Sequence, residues 1–384
     1  MVATCALGLE EFLEEELRAL EMQRILRERG AVRFAGTWPD VWRANLWLRT
    51  ANRVLIEVGS FPAPDGDALY DGVRRIAQAE APIPGLSAAE LFDPKATIAV
   101  RGTTSQSHLR DTRWVGQRTK DAIVDAQRHR FSRRSSVDRR APDRMFRVLV
   151  RQNRGTLLLD TSREPLDRRG YRLSMVDAPV REQLAAACVM ASGWNGDGPV
   201  LDPMCGSGTL LAEAASWALG WAPGRLRERW AFAELPTFDA RAFDQMKRAG
   251  GPRTEQNELL RGAQGPMIFG GDEVLAAVRA SQDNLYRAGV LGMAELKHRD
   301  AFAWKAPAEQ GLLLVNPPYG ERLVRDEDLW KRLGDWMKQG FAGWTAVVLA
   351  GELEAAKTIG LKPSRRIPVR HGQLDARILI FDLY

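Results

Sequence analysis

One stretch limits this chain more than any other: Leu312-Leu313-Leu314-Val315-Asn316-Pro317-Pro318-Tyr319-Gly320. Four consecutive aliphatic residues lack the alternation of a strand with one wet face. They read instead as a strand buried on both faces, as in a parallel sheet. Two prolines cannot extend its ladder, because each lacks an N–H and each holds φ near roughly −65°. The strand therefore stops at Asn316, and a rigid turn follows at its carboxyl end, the edge where open α/β sheets take their ligands. There the Asn316 side-chain carbonyl and the Pro317 backbone carbonyl offer two acceptors for the two hydrogens of an exocyclic amine. Tyr319 offers a flat face to a base, a contact worth ~1–3 kcal/mol.

A second stretch narrows the ligand. Pro199-Val200-Leu201-Asp202-Pro203-Met204-Cys205-Gly206-Ser207-Gly208-Thr209 reads as a buried strand, an acid, a Gly-x-Gly turn and the start of a helix over Leu210 to Leu219. Glycines let the backbone approach a ligand with no Cβ in the way. The loop lacks the Gly-Lys-Ser/Thr of a phosphate-binding loop, and Leu211 stands where a dinucleotide fingerprint needs its third glycine. Asp202 would repel a pyrophosphate. It suits a ligand with a cationic amino-acid end, such as S-adenosylmethionine. Two further acidic sites follow strand candidates: Asp272 and Glu273 after Met267 to Gly271, then Asp300, with Ala301, after His298-Arg299.

Charge points to the partner. Between Arg101 and Arg154 stand fifteen Lys/Arg against five Asp/Glu, a local +10; the rest of the chain, with 40 against 44, carries −4. One basic block on a slightly acidic protein is the footprint expected for a polyanion. Within it Arg113, Lys120, Arg128, Arg130, Arg133 and Arg134 are candidate contacts to that polyanion. Cys5, Cys188 and Cys205 are the only cysteines and form no C-x-x-C pair, which favours a reducing, cytoplasmic setting over a zinc site or disulfides. No apolar run approaches the ~18–20 residues that span a bilayer. Glu10, Glu11 and Glu14 to Glu16 stand where a signal peptide would be basic and then apolar.

Periodicity predicts helices over Gly8–Leu20, Pro39–Leu48, Leu69–Ala79, Thr112–Phe131 and Val180–Met190, with short strands at Ala31–Phe34, Val54–Val58 and Thr97–Arg101. A hairpin is expected for Met145–Arg151 and Thr156–Asp160 around Asn153-Arg154-Gly155, and a turn-rich break at Phe61 to Gly66. An insertion of roughly 45 residues precedes Met267, and late strands are expected at Trp344–Ala350 and Ala376–Leu383. The tryptophans take packing as their default role.

D-P-M-C-G-S-G-T resembles motif I of class I S-adenosylmethionine-dependent methyltransferases, and Asn-Pro-Pro-Tyr resembles the motif of those that modify exocyclic amines of bases. Ala44 to Thr50, Leu69 to Val73, Lys120 to Asp125 and Leu157 to Thr161 resemble proteins that carry a THUMP domain. Pro165 to Arg172, followed by Ala178 to Glu182, is similar to the joint between the halves of such proteins. Taken together, the chain is most similar to the bacterial 23S rRNA guanine-N2 methyltransferase family. That resemblance implies an α/β fold in which a Rossmann-like class I methyltransferase domain follows an α+β, THUMP-containing RNA-binding region. It implies a ferredoxin-like-type subdomain over residues 1–65, a THUMP domain over 66–162, a linker over 163–180 and the methyltransferase domain over 181–384.

By the same resemblance Asn316, Pro317, Pro318 and Tyr319 carry the chemistry. Asp202, Cys205, Gly206, Gly208, Thr209 and Asn316 line the cofactor. Asp272 meets the ribose hydroxyls, and Asp300 with Ala301 meets the adenine. The family usually has a second acid where this chain has Val274, which leaves Glu273 as its stand-in. His371 stands where the family has Asn-Gly and is expected to be structural. The implied cofactor is S-adenosylmethionine and the implied partner is RNA, rRNA before tRNA, with no metal, membrane or covalent intermediate. A target base must leave its stack to reach the turn. The competing readings are a tRNA guanine-N2 methyltransferase, a DNA adenine-N6 methyltransferase, and a non-catalytic RNA-binding ribosome-assembly factor.

Overall fold

The computed structural model describes residues 1–174, 180–249, 267–318, 328–372 and 374–384. The first half forms β1 (Val2–Cys5), α1 (Glu10–Ala19), β2 (Gln23–Glu28), β3 (Ala31–Ala35), α2 (Trp38–Trp47), β4 (Ala51–Pro62) and α3 (Gly66–Gln78). It continues with α4 (Ala88–Leu91), β5 (Ile98–Ser105), α5 (Thr112–Phe131), β6 (Arg144–Arg151) and β7 (Arg154–Asp160). The second half forms α6 (Glu182–Ala191), β8 (Val200–Asp202), α7 (Thr209–Ala218), α8 (Ala240–Arg248), β9 (Ile268–Asp272), α9 (Leu275–Arg287) and β10 (Ala294–His298). Then follow β11 (Leu312–Val315), α10 (Leu329–Gly340), β12 (Thr345–Ala350), β13 (Arg365–His371) and β14 (Leu374–Asp382).

Each half holds one seven-stranded sheet. The first runs β2-β3-β1-β4-β7-β6-β5 and is antiparallel except where β5 meets β6. The second runs β10-β9-β8-β11-β12-β14-β13, parallel from β10 to β12, with β14 and β13 antiparallel. This is the mixed α/β architecture of a class I methyltransferase behind an α+β region. β11 is buried along its whole length, as its apolar run requires. Leu312 and Leu314 pack on the face covered by α6 and α7, and Leu313 and Val315 on the face covered by α10.

Several elements differ from the sequence expectation. The hairpin turn sits at Gln152-Asn153, one residue earlier than expected, because these two take the positive φ (51° and 58°) that a tight two-residue turn needs. β4 extends through Pro62, which pairs with Arg154, so the break begins only at Ala63. β1, β2 and β13 were not foreseen. β2 is largely exposed along its length, and β13 contains Pro368; both are edge strands, where charge and proline are tolerated.

The insertion before Met267 is no isolated excursion. Trp230, Phe232, Leu235 and Phe243 from it join the hydrophobic core of the first half, where Phe238 meets Trp42 edge-on at 5.5 Å between ring centroids. In the other direction, Leu9 and Phe12 of the first half are buried in the core of the second. Gly8, at φ +92°, passes so close to β13 that a Cβ there would stand 2.0 Å from the Pro368 carbonyl oxygen.

Buried polar groups continue this interlock. Glu16 accepts from the Arg49 and Thr50 amides at 2.6 and 3.0 Å, and the Arg49 carbonyl accepts from the Arg169 guanidinium. Arg169 also donates to Glu213 of α7 at 3.3 Å, with both side chains 2% exposed. Arg227 donates to four carbonyls of the joint, those of Ser162, Glu164, Pro165 and Arg168, at 2.8–3.1 Å. Removing one partner of a buried pair leaves the other charge uncompensated, so Arg169→Ala should cost ~3–5 kcal/mol in urea unfolding. The paired change Arg169→Met with Glu213→Leu should cost far less. Equal losses for the single and double variants would show that packing, not charge, holds this contact.

Candidate active site

The parallel pairing of β8 with β9 and β11 brings three strand ends to one edge. Val200 and Leu201 pair with Ile268 and Phe269 on one side and with Leu312 and Leu313 on the other. Asp202, Asp272 and Asn316 therefore end neighbouring strands at the carboxyl edge of the sheet.

The loop after β8 is held by its own backbone. Cys205 N–H donates to the Gly271 carbonyl at 2.8 Å, Gly208 N–H to the Cys205 carbonyl at 2.7 Å, and Gly206 N–H to Asp272 Oδ2 at 3.0 Å. Gly208 begins α7 at φ +75°, where a Cβ would come 3.0 Å from Ser281 Oγ. Ser281 donates to the Gly206 carbonyl at 2.8 Å, and Asn284 donates to the Ser207 carbonyl at 2.9 Å. The Asn284 carbonyl in turn accepts from the amides of Leu173 and Ser174 in the joint. The Cys205 thiol is buried, which pushes its pKa up, and lies 3.3 Å from Ser281 Oγ. Its side chain packs beneath the loop as part of the core of the second half.

The electrostatics of the edge are unusual. Asp202 Oδ1 accepts from Met204 N–H at 3.1 Å, whereas its Oδ2 is buried with no partner. Burial first, and the Asp272 charge as well, hold the Asp202 carboxyl well above the usual carboxylate range. Asn316 Oδ1 is likewise buried and unpartnered. Across the loop, Arg172 donates to Thr209 Oγ1 and Glu182 Oε1, each at 3.0 Å, while its Nη1 is buried without a partner. A carboxylate oxygen at the end of β8 and a guanidinium nitrogen beside the first residue of α7 are thus both left without a partner. Buried polar groups left unpaired cost ~1–3 kcal/mol each, so their persistence asks for a reason.

The remaining residues singled out from sequence are placed as follows. Asp272 is engaged at both oxygens, since Oδ1 accepts from Val274 N–H at 2.9 Å. Val274 thus contributes its amide where the family's acid would stand. Glu273 is exposed, and its carbonyl lies 2.9 Å from His298 Nε2. Asp300 is exposed and caps a short turn through Phe302 N–H at 2.7 Å, with Ala301 inside that turn. Pro317 is buried and Pro318 half-buried. Tyr319 lies outside the described residues. Among the described residues no cluster of His, Cys, Asp and Glu could hold a metal, and no helix is long and apolar enough to cross a membrane.

The structure does not gather the six basic candidates. Arg113 is exposed near the start of α5; Arg128, Arg130, Arg133 and Arg134 are exposed at and beyond its end. At 1.5 Å per residue, Arg113 and Arg128 are about 22 Å apart along the helix. Lys120, midway, is half-buried and pairs with Asp121 at 2.5 Å. Other members of the block are structural: Arg144 donates to the Glu234 carbonyl at 2.7 Å, and Arg147 to buried Asp160 at 2.9 Å. Sequence reasoning passed over Arg172, Ser281 and the bonds of Asn284. Nothing in the sequence set Arg172 apart from the other cations of the polar joint.

The chain is similar to known proteins over its full length. Residues 169–380 match the family "RMKL-like, methyltransferase domain", residues 1–55 the "RlmL ferredoxin-like domain" and residues 67–160 the THUMP domain. The chain is 34% identical to the Synechocystis protein "Putative RNA methyltransferase slr0064", over 100% of this chain and 96% of that one. It is 36% identical to the ribosomal RNA large subunit methyltransferase K/L of Syntrophotalea carbinolica, over 99% of this chain and 53% of that protein. It thus spans about half the length of the K/L relatives. Among solved structures, SMU.472, "a putative methyltransferase complexed with SAH", superposes with a TM-score of 0.82 at 28% identity, covering 100% and 97% of the two chains. A Listeria monocytogenes protein described as "a predicted N6-adenine-specific DNA methylase" gives 0.84 at 27% identity, covering 100% and 96%.

A carboxyl whose folded pKa is raised favours the folded state most below its unfolded pKa, and that stability is lost as pH rises toward the folded value. The ligand-free protein should therefore lose stability from mildly acidic to neutral pH, partly through Asp202. Asp202→Asn should flatten that slope and raise neutral-pH stability by ~1–3 kcal/mol in urea unfolding. A less stable variant with an unchanged slope would mean that Asp202 is compensated in the free protein.

Proposed function

The chain belongs to the RMKL-like methyltransferase family, and on that premise we propose that it methylates the exocyclic N2 amine of a guanine in structured RNA, with large-subunit rRNA as the substrate. The observation that carries this reading is Asn316 Oδ1, a buried acceptor without a partner at the end of β11. An amine offers the donor that this oxygen lacks. The rRNA assignment draws on the names of the K/L relatives, and the RNA-binding role of residues 66–162 on their match to a THUMP domain. We assign residues 1–65 to a supporting subdomain, 163–180 to a linker, 181–384 to the catalytic domain, and the activity to the cytoplasm.

The cofactor is S-adenosylmethionine, which supplies a sulfonium methyl group already activated for transfer. Asp202 Oδ2 meets its ammonium, and Arg172 Nη1 its carboxylate. Gly206 and Gly208 keep side chains out of the way; Cys205 and Thr209 complete the loop. Asp272, with Glu273 beside it, addresses the ribose, and Asp300 with Ala301 addresses the adenine. Asn316 and the Pro317 carbonyl orient the amine and stabilise positive charge as it develops on nitrogen. Pro318 stiffens the turn, and Tyr319 stacks on the base. Alignment of this kind supplies on the order of 7–11 kcal/mol of a barrier. A flipped-out guanine satisfies the access requirement.

The Listeria neighbour's description favours a second reading, adenine-N6 in DNA, and tRNA is the second RNA substrate. Labelled-methyl transfer to total RNA and to DNA, with nucleoside analysis and mapping, separates these. Asn316→Ala should keep fold and RNA affinity and lower the transfer rate by about 10²–10³, as for loss of one positioned polar partner. An RNA carrying inosine at the mapped guanosine should bind and accept no methyl group; normal methylation of it would end the guanine-N2 assignment.

Arg172→Gln should weaken S-adenosylhomocysteine binding about 10–100-fold, the worth of a charged hydrogen bond, in calorimetry. Methylthioadenosine, which lacks the amino-acid end, should bind both proteins alike. Equal losses for both ligands would make Arg172 purely structural.

A further inference from the structure

The basic block is contiguous in sequence and divided in space. α5 runs back along β5 over 20 residues, about 30 Å, and its two ends sit in different surroundings. Beyond its carboxyl end, Ser136 and Arg144 bond to Thr97 and Ile98 at the start of β5, and Arg144 reaches Glu234 of the catalytic half. Arg128, Arg130, Arg133 and Arg134 therefore crowd the end of the sheet that meets the catalytic half. Its amino end lies against Gly102, where a Cβ would clash with the Thr112 carbonyl and the Gly116 amide. The tip formed there, remote from the catalytic half, includes the loop before α5 and the turn between β6 and β7, joined by bonds from Ser107 and His108 to the Asn153 side chain at 3.0 Å.

This tip carries Trp114. Of the twelve tryptophans it alone is exposed, at 44%; the other eleven are buried or half-buried. Packing, the default role for a tryptophan, does not account for it. Its six-membered ring lies against Gly66, where a Cβ would stand 2.4 Å from Cη2. The absence of a side chain at the start of α3 lets the indole rest on backbone and stay oriented.

Its surroundings are suited to an anion. Arg110 and Arg113 are exposed on either side of the helix cap, and Arg151 and Arg154 are exposed at the neighbouring hairpin. A shallow groove of about 460 Å³ beside the loop is lined by Thr104 to His108, Arg110 and Asn153, with no carboxylate. The acids of the tip are committed: Asp111 accepts from the Arg113 and Trp114 amides, Asp65 from the Asp67 and Ala68 amides, and Asp67 pairs with Arg118 at 2.8 Å.

We propose that Trp114 is a stacking platform for an unpaired RNA base, with Arg110, Arg113 and Arg154 on the flanking phosphates, forming a second RNA contact remote from the cluster that meets the catalytic half. This rests on the RNA reading above and adds that the RNA is gripped at two separate places, one of which demands a single strand. A fully paired helix presents no open base face and would engage only the cationic groups.

The test uses the full chain and two fluorescein-labelled RNAs: a hairpin with a single-stranded oligoadenosine extension, and the same hairpin without it. Trp114→Ala should weaken binding of the extended hairpin about tenfold, within the ~5–150-fold that ~1–3 kcal/mol of stacking represents. It should leave the blunt hairpin, the salt slope and S-adenosylhomocysteine affinity unchanged. Trp114→Phe should keep nearly all affinity. Arg110→Ala and Arg113→Ala should each lower the salt slope by ~0.7. Unchanged affinity of Trp114→Ala for the extended hairpin, or equal losses on both hairpins, would overturn the platform while leaving the RNA reading in place. Failure of the unaltered protein to bind either hairpin at low salt would overturn the RNA reading and the platform with it.

Discussion

A strand covered on both faces has no place for a polar side chain except at its ends. β8 and β11 meet that condition, since every one of their residues is buried. The parallel register then sends both ends to the same edge. Asp202 and Asn316 become neighbours there although 114 positions separate them in the chain. Around them the fold withholds compensation: one oxygen of each residue is buried and lacks a partner. Glu16, by contrast, is compensated, since its carboxylate takes two amides and the Thr50 hydroxyl. Buried oxygens without partners occur elsewhere too, as at Asp167, Gln183 and Glu213, but those of Asp202 and Asn316 stand together at the carboxyl edge of the sheet.

The same logic bears on how the two halves would act on one base in the proposed reaction. Transfer to a nitrogen requires alignment within a fraction of an ångström of a productive geometry. A flexible tether would lose that. Here the joint is clasped by Arg227, anchored through Arg169 to α7, and tied by Arg172 to the first residue of that helix. The helix that opens from the cofactor loop is thus bonded to the joint at Thr209 and again one turn later at Glu213. In the proposed function an RNA held by the first half would be registered against the loop through these buried contacts.

How much of this was legible depended on where each residue's partners lie. β11 and the loop after β8 were readable because burial on both faces and glycine at positive φ leave local signatures. α5 was readable because its boundaries are set by the Asp111 cap and by Ser132 in the left-handed region. β2 and β13 were not, since an edge strand needs no apolar face and β13 even accommodates Pro368. Residues 230–248 read as an insertion because their partner, Trp42, lies far back in the chain. Arg172 looked like one more cation of a polar linker; only the fold sets its guanidinium beside Thr209. The basic block is contiguous in sequence yet divided in space, because a helix turns fifteen residues of sequence into about 22 Å of separation.

The unpaired atoms of the edge also assign different tasks to the loop and to the turn. In the proposed reaction Asp202 and Arg172 address the amino-acid end of the cofactor, which is the same before and after the methyl group leaves. Contacts that are equal in ground and transition states lower the ligand's free energy without raising the rate of the chemical step. They stabilise the folded protein instead, by ~2.7 kcal/mol when ligand stands at about 100 times its Kd. That offsets the cost of keeping a carboxyl and a guanidinium nitrogen buried and unpaired. Rate must then come from groups that interact more strongly as positive charge appears on the attacking nitrogen. In the proposed reaction those are the Asn316 and Pro317 carbonyls, held at the end of a buried strand and by prolines that fix φ and restrict the residue before them. Under the proposed function the loop would therefore account for affinity and stability, and the turn at the end of β11 for catalysis.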